Sequence, residues 1–381
     1  MPRIVTVYPR DPSHEDVKRR DLAPLTMAYI RWFKVSEELA RLGHRVDMAV
    51  PDAAMDWAST AQRDAATGVR SVALSRVRWH EYDVVKTVFH RGFDTLEACG
   101  GADHPFIISK LGSVVGPREM DGIYFYGETR EQLYATQQKI ARASRYVTVL
   151  SREADALWQQ CFGPVDNTLL VPGAVDATVP DATADPYPDD GRPRVLFAGN
   201  IYTARSQPEA NVVLVGKLNR LGELLSRRGA RLYMLGTGDL SQLDPQWVTY
   251  LGAVEYPQSW NYMHRADVGV VVASGSFSHN NESTKIYHYL RVGLPVVSEA
   301  GFPNDGVVTD SRLGFVVENG NMEAMAAKAV EAADRAWDRD FAICYVLQSH
   351  TWAKRVETYA AVLARHFPGQ AAPSSRLARV A

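Results

Sequence analysis

The chain is short of cysteine. Its 381 residues carry three, Cys99, Cys161 and Cys344, none close to another. That spacing excludes a disulfide framework and a zinc knuckle, and buried free thiols in a reducing compartment are expected. A charge excess is also missing: 42 Lys and Arg against 44 Asp and Glu leave a formal net charge of −2. A nucleic-acid partner would call for a basic surplus, so none is expected. No apolar run reaches the roughly 18 to 20 residues of a membrane helix. Met1-Pro2-Arg3-Ile4-Val5 enters a strand at once, with no leader core before it. These absences point to a cytoplasmic protein without a transmembrane segment, with peripheral membrane contact left open. No compact Asp-x-Asp lies near a strand end. Asp189-Asp190 sits among prolines and reads as a solvated turn. Neither a metal nor a cofactor is expected.

What is present is ordinary for a globular protein: 46% hydrophobic and 23% charged residues. The length exceeds one ordinary core and implies two domains. Short β-rich runs alternate with amphipathic segments. Strands are expected at 4–8, 46–50, 84–89, 105–109, 146–150 and 168–171, and helices at 27–42, 129–144 and 152–161. Gly43 stands where the first helix needs its C-cap. From 177 to 194 the composition changes to Pro180, Pro186, Pro188 and Pro193 among aspartates, which suits neither helix nor strand. A second α/β series follows, with strands at 194–198, 232–235, 248–251, 266–273, 294–298 and 314–317, and helices at 211–228 and 284–292. Val268, Val270, Val271 and Val272 form the β-branched run of a strand buried on both faces. Residues 324–367 read as helical, and the tail beyond Pro368 has no apolar period. Two doubly wound α/β domains place a cleft between the C-terminal edges of their strands, where ligands bind.

The stretch 274–299 carries the chemistry. A buried strand empties into a small polar loop that ends at a helix N-terminus, which Ser283 or Thr284 is suited to cap. Lys285 follows in the first turn, where a cation opposes the helix dipole by about 0.3–1 kcal/mol. An anion held between Lys285 and the free backbone N–H groups would account for that placement, and a diphosphate is the obvious candidate. The plain alternative is a lysine pointing into solvent.

Lys285-Ile286-Tyr287-His288-Tyr289-Leu290 followed by Gly293-Leu294-Pro295-Val296-Val297 resembles the donor-site helix of GT-B glycosyltransferases of group 1, or GT4-like, type and of their xanthan-glucuronosyltransferase-like relatives. Further matches fall in the family's order: Gly43-His44-Arg45-Val46, Val171-Pro172-Gly173-Ala174-Val175-Asp176, Phe197-Ala198-Gly199-Asn200 with Arg205, Leu235-Gly236-Thr237-Gly238 and Leu251-Gly252-Ala253-Val254. The resemblance implies an α/β GT-B fold: an acceptor-binding Rossmann-like domain over 1–178, a linker over 179–193 and a donor-binding Rossmann-like domain over 194–349. It also implies a helix at about 350–367 packed back on the first domain and a disordered tail at 368–381. The donor would be a nucleotide-diphosphate sugar (UDP, GDP or TDP, with UDP favoured). Its site would be built from Gly199, Asn200, Arg205, Gly236, Thr237, Glu282, Ser283, Thr284, Lys285, His288 and Tyr289. Where retaining members carry two glutamates eight residues apart, this chain has Asn280 and His288, with Glu282 nearby but displaced. Neither a retaining nor an inverting course is therefore assigned.

Glycosyl transfer needs a stabilised leaving diphosphate, which falls here to Lys285, Arg205 and the helix N-terminus without a metal. An inverting course needs a general base. His90, Asp121 and Glu128 are the candidates, with a structural histidine and a helix-start carboxylate as the plain readings of the first and last. Two other functions remain open: a GT-B partner subunit without turnover, and a nucleotide-sugar epimerase or hydrolase. The acceptor is unidentified.

Overall fold

A computed structural model describes residues 1–7, 27–52, 68–116, 130–164, 166–201, 208–275 and 280–368. Asp121, Glu128 and Arg205 lie outside the described residues, as does the tail from 369.

The first domain is a seven-stranded sheet, β1 (Arg3–Val7), β2 (Arg45–Val50), β3 (Arg70–Ala73), β4 (Val84–Val88), β5 (Ile107–Lys110), β6 (Tyr146–Val149) and β7 (Thr168–Leu170), in the order β3-β2-β1-β4-β5-β6-β7. Every pairing is parallel. Its helices are α1 (Met27–Arg41), α2 (Phe89–Ala98), α3 (Arg130–Ala143) and α4 (Arg152–Phe162). Gly43 ends the first helical segment at φ +89, a conformation in which a side chain would be strained. Ser151 caps α4, its Oγ accepting from Ala154 N–H at 3.0 Å.

The second domain repeats the plan. Strands β8 (Arg194–Ala198), β9 (Arg231–Leu235), β10 (Val248–Tyr250), β11 (Val268–Val271), β12 (Val296–Glu299) and β13 (Gly314–Val317) are parallel in the order β10-β9-β8-β11-β12-β13. Its helices are α5 (Pro208–Arg227), α6 (Tyr256–Arg265), α7 (Thr284–Arg291), α8 (Gly306–Asp310) and α9 (Met322–Asp334). β11 is buried at every position, as its valine run requires. The strand order reverses beside β1 and again beside β8. Loops leave these switch points in opposite directions and open a crevice.

The C-terminal segment is three helices where one helical stretch was expected: α9, α10 (Arg339–Ser349) and α11 (Trp352–His366). Asp338 and Thr351 start the last two by capping Phe341 and Lys354 N–H. The final helix returns to the first domain. Trp352, Val356, Tyr359, Val362 and Leu363 are buried in the core formed with β1, β4 and α1. Residues 179–193 have no regular structure, yet they are strapped to α6. Tyr187 is buried and donates to Tyr262 O at 3.0 Å, and Asn261 bonds Thr183 N–H and Ala184 O.

The cysteines correct one expectation. None is in a disulfide, but Cys99 and Cys344 are exposed and Cys161 is half-buried, because Cys99 and Cys161 lie at helix ends and Cys344 is on the outer face of α10. Among the described residues no helix is long and apolar enough to cross a membrane.

Candidate functional site

Lys285 sits in the first turn of α7 and reaches across the end of β8. A Cβ added at Gly199 would lie 2.4 Å from its Cε, so only glycine lets the lysine lie there. Gly236 permits a second close approach: at φ +147 its missing Cβ would fall 2.0 Å from the Gly199 carbonyl oxygen. The Lys285 ammonium lies 5.1 Å from the centre of the Phe197 ring. Burial pushes its pKa down to about 8. Among the described residues no carboxylate pairs with it. Beside it, Asn200 Oδ1 accepts from the Thr237 hydroxyl at 2.9 Å and from Thr237 N–H at 3.3 Å. Lys285, Gly199, Asn200, Gly236 and Thr237 therefore converge, although 86 residues separate Gly199 from Lys285 (285 − 199).

The rest of the donor helix is largely engaged in holding the fold. Ser283 is the N-cap residue, but its hydroxyl makes no cap bond and is buried without a partner. Asn304 instead bonds its backbone, accepting from Ser283 N–H at 3.0 Å and donating to Ser283 O at 2.9 Å. The Glu282 carboxylate accepts from Gly173 N–H and, at 2.8 Å, from the Tyr287 hydroxyl. Burial raises its pKa against those two bonds. His288 is buried and has both ring nitrogens occupied. Nδ1 donates to Thr284 O at 2.7 Å, which leaves Nε2 to accept from the Tyr256 hydroxyl at 3.1 Å. The ring stacks on Trp260 at 5.1 Å, and burial lowers its pKa, so it is neutral. Tyr289 faces the sheet rather than the crevice. Its hydroxyl accepts from Ala198 N–H at 2.8 Å and donates to Leu196 O at 3.3 Å, and its ring lies where a side chain at Gly269 would be. The sequence pattern put His288 and Tyr289 among the donor contacts. The helix turns them inward because Trp260, Tyr256 and β8 supply their partners.

Asn280, in the first of the two positions where retaining enzymes carry glutamate, reaches the other domain. Its Oδ1 accepts from Val114 N–H at 3.3 Å and its Nδ2 donates to Val114 O at 3.1 Å. Ser151 Oγ donates to the Asn280 carbonyl at 3.2 Å. No sequence pattern marks this clamp, since only the fold brings residues 114 and 280 together. Tyr256 was also missed. Pro257 in the first turn and Gln258 Oε1 accepting from Glu255 N–H at 3.3 Å are the signals that would have placed its helix.

On the first-domain side, β4 passes into α2 through Phe89, a non-glycine residue at φ +60. Such strain collects at functional sites. His90 follows, with Nε2 3.2 Å from Gln137 Oε1, so that nitrogen carries the proton. Burial lowers the pKa of His90 to about 4. It stays neutral at pH 7 and is a weak base there. Gln137 is fixed in turn by Val115, accepting from its N–H and donating to its carbonyl, both at 2.8 Å.

Residues 192–335 match the family model described as glycosyl transferases group 1. That stretch covers most of the second domain, which is therefore similar to the group 1 glycosyltransferases. Over nearly its whole length the chain is similar to several solved structures. Sucrose-phosphate synthase from Thermosynechococcus elongatus aligns at 16% identity over 97% of this chain and 100% of that one, with a TM-score of 0.71. Anabaena HepE in complex with UDP aligns at 13% identity over 96% and 100%, with a TM-score of 0.64. AviGT4, a glycosyltransferase involved in avilamycin A biosynthesis, aligns at 15% over 97% and 99%, with a TM-score of 0.63. At such identities the likeness establishes the fold, and the chain has the GT-B architecture. No curated protein sequence matches it.

Proposed function

We propose that this glycosyltransferase moves a sugar from a UDP-sugar to an acceptor hydroxyl, without a metal. The donor lies on residues 194–349 and the acceptor on residues 1–178. The observation that carries this reading is Lys285, a cation without a carboxylate partner among the described residues, lying over Gly199 at the N-terminus of α7. A diphosphate there would meet the ammonium, the first-turn N–H groups of the helix and the glycine loop of β8, with Asn200 and Thr237 at its edge. These groups would stabilise the charge that develops on the leaving diphosphate. The UDP bound to HepE supports uridine as the base. The leaving group needs no metal in this reading, because the lysine and the helix dipole supply positive charge where it develops.

The engagement of Asn280 and His288 favours a second reading, a subunit that binds donor without turning it over. Calorimetric titration of UDP, GDP and TDP into wild type and Lys285→Ala tests the donor site. Binding of one nucleotide, weakened about tenfold or more by the substitution, is the expected result. A well-folded protein that binds none of the three overturns the reading. Release of UDP from UDP-sugar in the presence of acceptor separates transferase from binding subunit.

A further inference from the structure

Three basic side chains lie buried together in the first domain, away from the donor helix. Lys86 in β4 is in register with Thr6 of β1, and Lys110, the last residue of β5, is in register with Thr148 of β6 and with Val88. Lys86 and Val88 are two residues apart, so both lysines stand on one face of the sheet. That face is covered by α1 and α11. Arg31 of α1 joins the lysines, and its Nη1 is buried without a hydrogen-bond partner. All three side chains are more than nine-tenths buried: Lys86 and Lys110 are 2% exposed and Arg31 6%.

Little around them answers their charge. The Lys86 ammonium lies 5.2 Å from the Tyr359 ring and makes no hydrogen bond among the described residues. Lys110 donates to the adjacent Leu111 carbonyl and lies 5.0 Å from the Phe89 ring. Among the described residues Glu282, across the crevice, is the one carboxylate acting on Arg31 and Lys110, and its oxygens already hold Gly173 and Tyr287. Burial and mutual repulsion press the lysines down, Lys86 to about 7 and Lys110 well below its usual value. A buried cation without a counter-charge is costly, and a core position has no need of one.

We propose that Arg31, Lys86 and Lys110 seat an anionic group of the sugar acceptor, a phosphate monoester or a carboxylate. Lys110 ends β5 on the side from which Glu282 of the donor loop acts on it and on Arg31, and Lys86 lies behind them in β4. An acceptor anchored there would present its hydroxyl toward the donor side. The assignment rests on the transferase reading above.

The test uses full-length protein saturated with UDP, which fills the donor site. Inorganic phosphate, a hexose 6-phosphate, a hexuronic acid and the neutral hexose are each titrated calorimetrically at matched chloride. Saturable one-to-one binding of the phosphates or of the uronic acid, but not of the neutral hexose, is expected, and the pair of anions decides which group is seated. Lys86→Met should weaken that binding about tenfold or more, with UDP affinity changed less than about twofold. If no anion binds wild type beyond the chloride control, or if Lys86→Met binds as well as wild type, the proposal falls. Should Lys86→Met not fold, Arg31→Gln makes the same comparison from the helix side. Loss of UDP binding would sink the transferase reading, whereas UDP binding without anion binding sinks only this proposal.

Discussion

The clamp between Asn280 and Val114 gives a prediction that two neighbouring amides decide. In the closed molecule both residues are buried, Val114 at 0% and Asn280 at 8% exposed. The asparagine side chain answers both the N–H and the C=O of Val114. Asn280→Ala removes both partners and leaves two buried backbone groups unsatisfied. Each costs about 1–3 kcal/mol when it stays dry. Opening the crevice lets water satisfy them, so the substitution shifts the balance toward the open form by about 2–6 kcal/mol in total. At about 1.4 kcal/mol per tenfold, that is a shift of roughly 30- to 20,000-fold. Native-state hydrogen exchange by NMR reads it directly. The Val114 amide crosses the crevice to Asn280, whereas the adjacent Val115 amide bonds Gln137 within its own domain at 2.8 Å. Asn280→Ala should speed exchange at Val114 by about one to four orders of magnitude and leave Val115 close to wild type. Equal acceleration at both amides would mean a global loss of stability, and no change at Val114 would mean that the clamp does not hold the domains. Either result refutes the argument.

Two further expectations follow from buried groups. His90 binds its proton with a pKa near 6.5 when unfolded and about 4 when folded. Between those values the unfolded chain carries the extra proton, so stability is full above pH 6.5 and falls as pH drops toward 4, by about 3 kcal/mol for this group. Urea titrations from pH 4 to 7 should show a shallower slope in His90→Gln than in wild type, and superimposable slopes would contradict it. Glu299 is fully buried at the end of β12 and accepts from Lys217 Nζ at 2.8 Å and from Gly320 N–H at 2.7 Å. Glu299→Gln removes the counter-charge of a largely buried lysine and should lower unfolding free energy by about 3–5 kcal/mol. A change under about 1 kcal/mol in chemical denaturation would show that Lys217 finds water instead.

Most of the architecture was legible in the chain. Period-two and β-branched runs located twelve of the strands, because a strand buried on both faces tolerates little else. The edge strand β3 (Arg70–Ala73) went unmarked, since only Ala73 in it is fully buried and its hydrophobic signal is correspondingly weak. Helix α6 was missed because its apolar residues are aromatic and spaced among polar ones, while the cues at Pro257 and Gln258 are local and small.

The site divides along the same line. Sequence by itself singled out Lys285, Gly199 and Gly236 as candidates, because a cation in a first helical turn and glycines at strand ends are unusual enough to read without a structure. It also determined two Rossmann-like halves. Only the tertiary structure decided which side chains remain free to act. His288 and Tyr289 stand one residue apart on the same helix as Lys285, yet Tyr256, Ala198 and Leu196 engage them, and those partners come from other elements. Asn280 found Val114 across 166 residues of chain. Lys86, Lys110 and Arg31, each unremarkable in sequence, became a buried trio through strand register and helix placement. Composition and periodicity record what one segment buries, whereas the partner of a polar group, and so its charge and its freedom, is fixed by what folding brings beside it.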